Sequence, residues 1–230
     1  GGGSYTGVYT VVEGNADVAD GADAVVSLAF TDAAGNVGAT TTAVTLSGES
    51  IDATKPTITG VSIADSAMNI GDVVEATITV GNATGQVLVL GSGTIGGFTL
   101  GNLARVSDNS YTATFTVTNG GTDVAAGADI PVSLILEDPA GNASATYSTA
   151  ISQTSDSIDA NAPTITGVTV ANGTYKIGDT ALVTITAGNS ETGLTVSSAT
   201  FNGQTLSSLT DAGGGSYTGV YTVVEGNADV

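Results

Sequence analysis

Carboxylates are the strongest ligating groups that this chain can offer. It holds 22 Asp and Glu residues and neither histidine nor cysteine. A Ser–His–Asp triad, a Cys–His nucleophile and a zinc site of the Cys/His type are therefore excluded. Ten of the acids fall in stretches rich in Asn and Gly: Asp17, Asp20, Asp23, Asp32, Asp52, Asp123, Asp129, Asp138, Asp156 and Asp159. Two bare carboxylates about 4 Å apart repel by up to ~4 kcal/mol at an effective dielectric near 20. A divalent cation reverses that sign. Calcium takes about 6–8 oxygens in a tolerant geometry and accepts Asn side chains and backbone carbonyls, whereas magnesium needs a stricter octahedron. The mixture of Asp, Asn and Gly therefore predicts Ca2+ as the cofactor.

Two other readings of the same acids stand beside this one. Asp and Asn are frequent in turns because they bond their own backbone. An acidic surface can also serve solvation or adaptation to salt. Salt adaptation would spread acids over the outward faces of strands, and those faces here carry mainly Thr and Ser, with Glu75 an exception. Asp72 and Asp179, in matching Ile-Gly-Asp stretches, read as turn residues, and Asp65 and Asp211 as solvated ones.

The formal net charge is −19, and the cations are Lys55, Arg105 and Lys176. That balance argues against nucleic acid as a partner, and against docking on an anionic membrane. No run approaches the ~18 apolar residues of a membrane span, so no membrane insertion is expected. Without cysteine there is no disulfide, and a small secreted domain then needs another staple, a metal or a neighbouring domain. The opening Gly1-Gly2-Gly3-Ser4 carries no signal peptide and predicts an internal fragment. Gly213–Gly215 lack the Lys and the helix of a phosphate loop. Asn82, Asn142 and Asn172 open N-x-S/T sequons, a signal common by chance. Tyr5, Tyr9 and Phe30 fall at strand positions, where core packing is the expected role. No enzyme is expected, because the paired acids lack an aromatic cleft in which to do glycoside chemistry.

What positions the acids is a repeat. Residues 1–18 recur letter for letter as residues 213–230, a period of 212 residues. A weaker repeat divides that period. IDATKPTITGVSI from Ile51 matches IDANAPTITGVTV from Ile158, and the segment from Ser4 to Asn36 matches that from Ser110 to Asn142. The expected organisation is the C-terminal part of one repeat at 1–50, a complete repeat at 51–157 and the N-terminal part of a repeat at 158–230. Joining 158–230 to 19–50 makes one repeat of about 105 residues. The chain is thus expected to begin and end in mid-repeat. That predicts head-to-tail self-association, the tail 158–230 of one copy pairing with the head 1–50 of the next. The alternative is a frame placed on a continuous array.

Within 51–157 the side chains alternate with the period of strands, not of helices. Val74, Ala76, Ile78 and Val80 alternate with Glu75, Thr77 and Thr79; Tyr111, Ala113, Phe115 and Val117 alternate with Thr112, Thr114 and Thr116. Seven strands are predicted, near 57–64, 72–81, 86–91, 97–102, 110–118, 130–137 and 143–151. The fold class is all-β, a tandem array of cysteine-free immunoglobulin-like sandwiches. Following the chain up and down puts Asp52 and Asp138 at the pole that meets the preceding repeat. Asp17, Asp20 and Asp23 would face them at the first junction. Asp123 and Asp129 would face Asp156 and Asp159 at the second, and Asp32 matches Asp138 in the repeat.

The pairing of Thr31–Asn36 with the linker Ile51–Ile58, and of Asp138–Asn142 with Ile158–Ile165, resembles the bacterial Ig-like repeats of very large surface adhesins. Near-identical, acidic, cysteine-free repeats look most like the extender region of calcium-dependent RTX adhesins exported by type I secretion. That resemblance implies an extracellular stalk on a bacterial cell, stiffened by calcium, whose partners are neighbouring repeats. It also implies ligand roles for Asp52, Asp138, Asp159 and Asp32. The rival expectation is a binding module whose loops grip a sugar, ice or a host protein.

Overall fold

A computed structural model describes residues 3–152, 154, 157–190, 192–196 and 198–227. The chain falls into two compact units, Gly1–Asn161 and Ala162–Val230. Every extended element is a β-strand, and the expected all-β class is what the chain adopts. Among the described residues no helix is long and apolar enough to cross a membrane.

The first unit opens with a two-stranded ribbon, β1 (Asp23–Leu28) and β2 (Thr41–Thr45), paired antiparallel. Next come β3 (Thr57–Ile63), β4 (Met68–Asn69), β5 (Val73–Gly81), β6 (Val89–Ile95), β7 (Phe98–Thr99), β8 (Gly101–Ser107), β9 (Ser110–Thr116), β10 (Val132–Glu137) and β11 (Ile158–Asp159). One sheet runs in the order β3-β5-β9-β8 and a second in the order β10-β6-β7. The alternation of the sequence decides which faces meet. Ala76, Ile78 and Val80 of β5 and Tyr111, Ala113 and Phe115 of β9 turn inward, and across from them lie Val132, Leu134 and Leu136 of β10. Burying a side chain of Leu or Phe size contributes roughly 1.5–3 kcal/mol. The inner faces of both sheets of this sandwich are covered, whereas Leu28 of the β1–β2 ribbon and the neighbouring Phe30 are exposed.

Two expected strands differ from what forms. The stretch expected as a strand over 97–102 is split. Gly96 and Gly97, at φ +60° and +85°, make a tight turn that folds β7 back on β6 with Ile95 opposite Phe98. A two-residue turn of this kind needs positive φ at both central positions. The second unit makes the same turn with Asn202 and Gly203. The last expected strand, 143–151, forms no continuous ladder; Ala143, Tyr147 and Ile151 meet β10 or Ile130 through isolated bridges.

The second unit has one four-stranded sheet, β12 (Ile165–Val170), β13 (Thr180–Ala187), β17 (Ser216–Thr222) and β16 (Ser207–Gly213), in that order. A small hairpin, β14 (Thr200–Phe201) with β15 (Gln204–Thr205), lies beside it in sequence. Here identical letters take two conformations. Residues 216–222 form β17 between β13 and β16, whereas residues 4–10, the same sequence, form no strand. Tyr217 is 4% exposed and its counterpart Tyr5 is 78% exposed. A strand's backbone groups need a neighbour to bond, and the partners exist only in the second unit.

The two repeat types also fill one position in complementary ways. In 51–157 the Phe98 and Phe115 rings stack with centroids 5.9 Å apart, and Gly121 lies against the Phe98 ring. A Cβ on Gly121 would stand 2.5 Å from the Phe98 ring. In the other repeat type Tyr221 replaces Phe115, and Asn227 replaces Gly121 and accepts the Tyr221 hydroxyl at 3.1 Å. Gly121→Ala is therefore expected to lower stability by about 1–3 kcal/mol through overpacking, as read by urea unfolding. A cost near zero would mean that the Phe98 ring can yield.

Candidate functional site

The loop that precedes each linker carries one aspartate that clasps it. At the first linker, Val18 and Ile51 exchange backbone hydrogen bonds at 2.8 Å in each direction, and Gly14 N–H donates to Ala53 O at 3.1 Å. Asp17 completes the clasp. Its Oδ1 accepts from Ala53 N–H at 2.7 Å, and its Oδ2 accepts from the Thr54 hydroxyl at 2.9 Å. At the second linker the arrangement recurs. Val124 and Ile158 exchange bonds at 2.9 Å, and Gly120 N–H donates to Ala160 O at 2.8 Å. Asp123 Oδ1 accepts from Ala160 N–H at 2.8 Å and from the Asn161 side chain at 2.9 Å. The sequence repeat is thus a structural repeat.

The second half of each linker aspartate's environment is a short Asx turn. Asp52 Oδ1 accepts from Thr54 N–H and Asp159 Oδ1 accepts from Asn161 N–H, each at 3.2 Å. Around Asp52 two more loops converge. Gln86 Nε2 donates to Asp52 Oδ2 at 2.9 Å, and Asn142 Nδ2 donates to the Asp52 carbonyl at 3.1 Å. Gln86 Oε1 is buried with no hydrogen-bond partner, an orphaned oxygen beside the linker carboxylate. Tyr111 holds that loop in place. Its fully buried hydroxyl donates to Gln86 O and accepts from Leu88 N–H, both at 3.1 Å.

Asp138 is 2% exposed. Its Oδ1 accepts from Ala140 N–H at 2.9 Å and Asn142 N–H at 2.8 Å, and its Oδ2 from Asn142 Nδ2 at 2.9 Å. The residue is first of all the organiser of a five-residue loop, with Gly141 at φ +90° closing it. Asn142 is the part of that loop that reaches the linker. Asp32 builds the same loop, with Ala34 N–H, Asn36 N–H and Asn36 Nδ2 as its donors, but on the surface.

The remaining candidates are placed elsewhere. Asp20 accepts from Gly48 N–H at 2.7 Å and Asp23 from the Thr45 hydroxyl, so both tie down the β2 end of the ribbon. Asp129 is exposed, and Asp156 lies outside the described residues. Among the described residues no three acidic side chains converge as a cluster that could hold a metal. What converges on Asp52 is a set of hydrogen-bond donors: Thr54 N–H on its Oδ1, Gln86 Nε2 on its Oδ2 and Asn142 Nδ2 on its backbone carbonyl. Gln86 is the site residue that the sequence reading missed.

Asp32 and Asp211 are held below the ordinary carboxyl value of 3.8. For Asp32 the leading cause is the side-chain hydrogen bond from Asn36, and for Asp211 the backbone bond from Gly193 and then that from Gly213. A depressed folded pKa contributes stability above the unfolded value, and that contribution is lost as pH falls through the folded one. Amide protection at Ala34 and Asn36 is therefore expected to hold above pH 3.8 and to fall below it. Hydrogen exchange across that range checks this, and protection that stays constant on acidification would contradict it.

Comparison with known proteins gives two likenesses. Residues 159–230 match the family described as bacterial Ig-like domain. The chain is also similar to a solved structure reported for FdeC, a broadly conserved Escherichia coli adhesin, at 18% identity and a TM-score of 0.37. The alignment covers 79% of this chain and 59% of that one. No curated protein matches.

Proposed function

We propose that the chain is an extender segment of a bacterial surface adhesin, in which calcium at the repeat boundaries locks tandem Ig-like repeats into a rod. What carries this reading is the recurrence of one clasp at two linkers, joined at the first by an orphaned oxygen. An enzyme gains nothing from copying a linker clasp; a mechanical array does. Asp52, Gln86 and Asn142 would hold the ion at the first linker, with Asp138 behind Asn142. Asp123, Asp159 and Asn161 would do so at the second. When bound, calcium supplies a divalent charge that offsets carboxylate repulsion and fixes the linker against the loops around it. The donor set suits it, since calcium accepts carboxylate, carboxamide and carbonyl oxygens together. The bacterial Ig-like match over 159–230 supports the repeat type, and an extracellular location at the cell surface is part of the same proposal. Calorimetric titration of an array of complete repeats tests it. Binding in the range of about 10⁻⁴–10⁻³ M, typical of extracellular modules, is expected. No binding up to the highest of these concentrations would contradict it.

The rival reading is a ligand-binding module. One observation favours it: an open cleft of about 560 Å³ in the complete repeat, between Gly96–Asn102 and Thr114–Thr122, where hydroxyls, amides and the Phe98 ring are gathered. Specific binding of the 51–157 repeat on a glycan array would bring that reading forward.

A further inference from the structure

The turn that carries the second linker clasp holds an Asn-Gly pair, and the matching turn at the first linker does not. Asn119 and Gly120 are the central residues of the turn 118–121. Gly121 N–H closes it on Thr118 O at 3.2 Å, and Gly120 lies at φ +85°. The repeat places Glu13 and Glu225 where Asn119 stands. Around Glu13 the turn has the same form: Asn15 N–H donates to Val12 O at 3.0 Å, and Gly14 lies at φ +86°. A carboxylate at this position is thus compatible with the turn and with its clasp.

A side-chain amide closes most readily on the next backbone nitrogen when that residue is glycine, which has no Cβ to hinder the approach. Asn119 is exposed to the water that such a reaction consumes. What the fold controls is the nucleophile. Gly120 N–H donates to Ala160 O at 2.8 Å, and the buried Ala160 is held in turn through its own N–H, which donates to Asp123 Oδ1 at 2.8 Å. Asn161 Nδ2 adds bonds to Asp123 Oδ1 at 2.9 Å and to Gly121 O at 3.2 Å. While the linker lies against the loop, the Gly120 nitrogen is engaged.

We propose that Asn119 is a deamidation site gated by the linker clasp, so that a linker that opens is chemically marked. With the linker lifted, Gly120 N attacks Asn119 Cγ. The N–Cγ bond forms, the Cγ–Nδ2 bond breaks, and the Gly120 proton leaves with the amide nitrogen as ammonia. Water then opens the succinimide. Addition at Cγ gives aspartate, an acid that the turn already accepts as Glu13. Addition at the backbone carbonyl gives isoaspartate, which routes the main chain through Cγ. That lengthens the turn by one carbon and takes Gly120 N–H out of register with Ala160 O, so the linker stays open. The first linker, with Glu13 in place of Asn119, carries no such mark. No metal enters the reaction, and the inference stands apart from the calcium reading.

The test follows aspartate and isoaspartate at each Asn-Gly pair of the full 230-residue chain by peptide mass spectrometry, in EGTA at mildly alkaline pH. The exposed Asn172–Gly173 pair is the internal reference. Relative to it, Asn119 should convert more than about tenfold more slowly in buffer than in urea, where the clasp is lost. Asp123→Ala removes the acceptor of Ala160 N–H. It should raise the rate at Asn119 in buffer by about tenfold or more, with the Asn172 rate and the amide protection of β9 unchanged. The isoaspartate form, isolated by ion exchange, should lose amide protection at Gly120, whereas Asn119→Asp should keep it. Equal relative rates at Asn119 in buffer and in urea, a comparison that needs no variant, overturn the proposal. So does a rate that Asp123→Ala leaves unchanged or raises only with loss of β9 protection, or an isoaspartate form in which Gly120 stays protected.

Discussion

Replacing Asp138 by alanine is expected to cost the 51–157 repeat about 3–4 kcal/mol. The carboxylate is buried and accepts three hydrogen bonds, from Ala140 N–H, Asn142 N–H and Asn142 Nδ2. Hydrogen bonds to a charged group contribute roughly 1.5–3 kcal/mol each, and a donor left buried without a partner costs about 1–3 kcal/mol. The three are not additive, since they share one loop and two come from Asn142. For a repeat of this size, whose whole stability is of order 5–15 kcal/mol, the loss should lower the melting temperature by roughly 15–25 °C. Asparagine should do little better, because its amide would point a donor at a donor. The same five-residue loop, built by Asp32 on the surface, supplies the control: Asp32→Ala should cost far less than Asp138→Ala. Urea unfolding of the two variants measures both. Equal small losses would mean that burial adds nothing to the loop's bonds.

The second large effect is expected from the linker oxygens. Calcium at tenfold its dissociation constant should stabilise an array by about 1.4 kcal/mol per occupied site. Summed over many junctions, that is a substantial gain in resistance to bending and unfolding. Replacing Asp52 by Asn together with Gln86 by Leu should abolish the gain at the first type of junction. The pair removes one charge and the orphaned oxygen, and it leaves the buried Asp138 loop in place. Asp65→Asn, whose carboxylate accepts the Thr154 hydroxyl at 2.8 Å, should leave the calcium response unchanged. A response that survives the double substitution would move the site away from Asp52.

Much of this architecture was legible in the sequence, for reasons that can be named. β5, β9 and β10 alternate cleanly because one face of each is buried, and burial imposes a period of two. The 143–151 segment was less legible because it touches β10 only at isolated bridges, which leave no run of alternation to detect. Residues 4–10 and 216–222 show the limit most directly: the letters are the same, and the neighbouring strands decide the conformation. At the site, following the chain up and down set Asp17 and Asp123 facing the linkers, and in the structure each accepts a backbone N–H of its linker. That placement could not separate a carboxylate that clasps backbone N–H groups from one that waits for a metal, because both use Asp in a Gly-rich loop. Gln86 carried no signal at all. It lies 34 residues from Asp52, and only the fold brings the two within 2.9 Å.

Small-angle X-ray scattering on an array of complete repeats, first in calcium and then in EGTA, measures the proposed locking of the junctions most directly. A stiff, extended particle in calcium that becomes shorter and flexible in EGTA is the expected result. The same scattering curve in both conditions would contradict metal locking, and would leave the aspartates of the linker loops as backbone clasps alone.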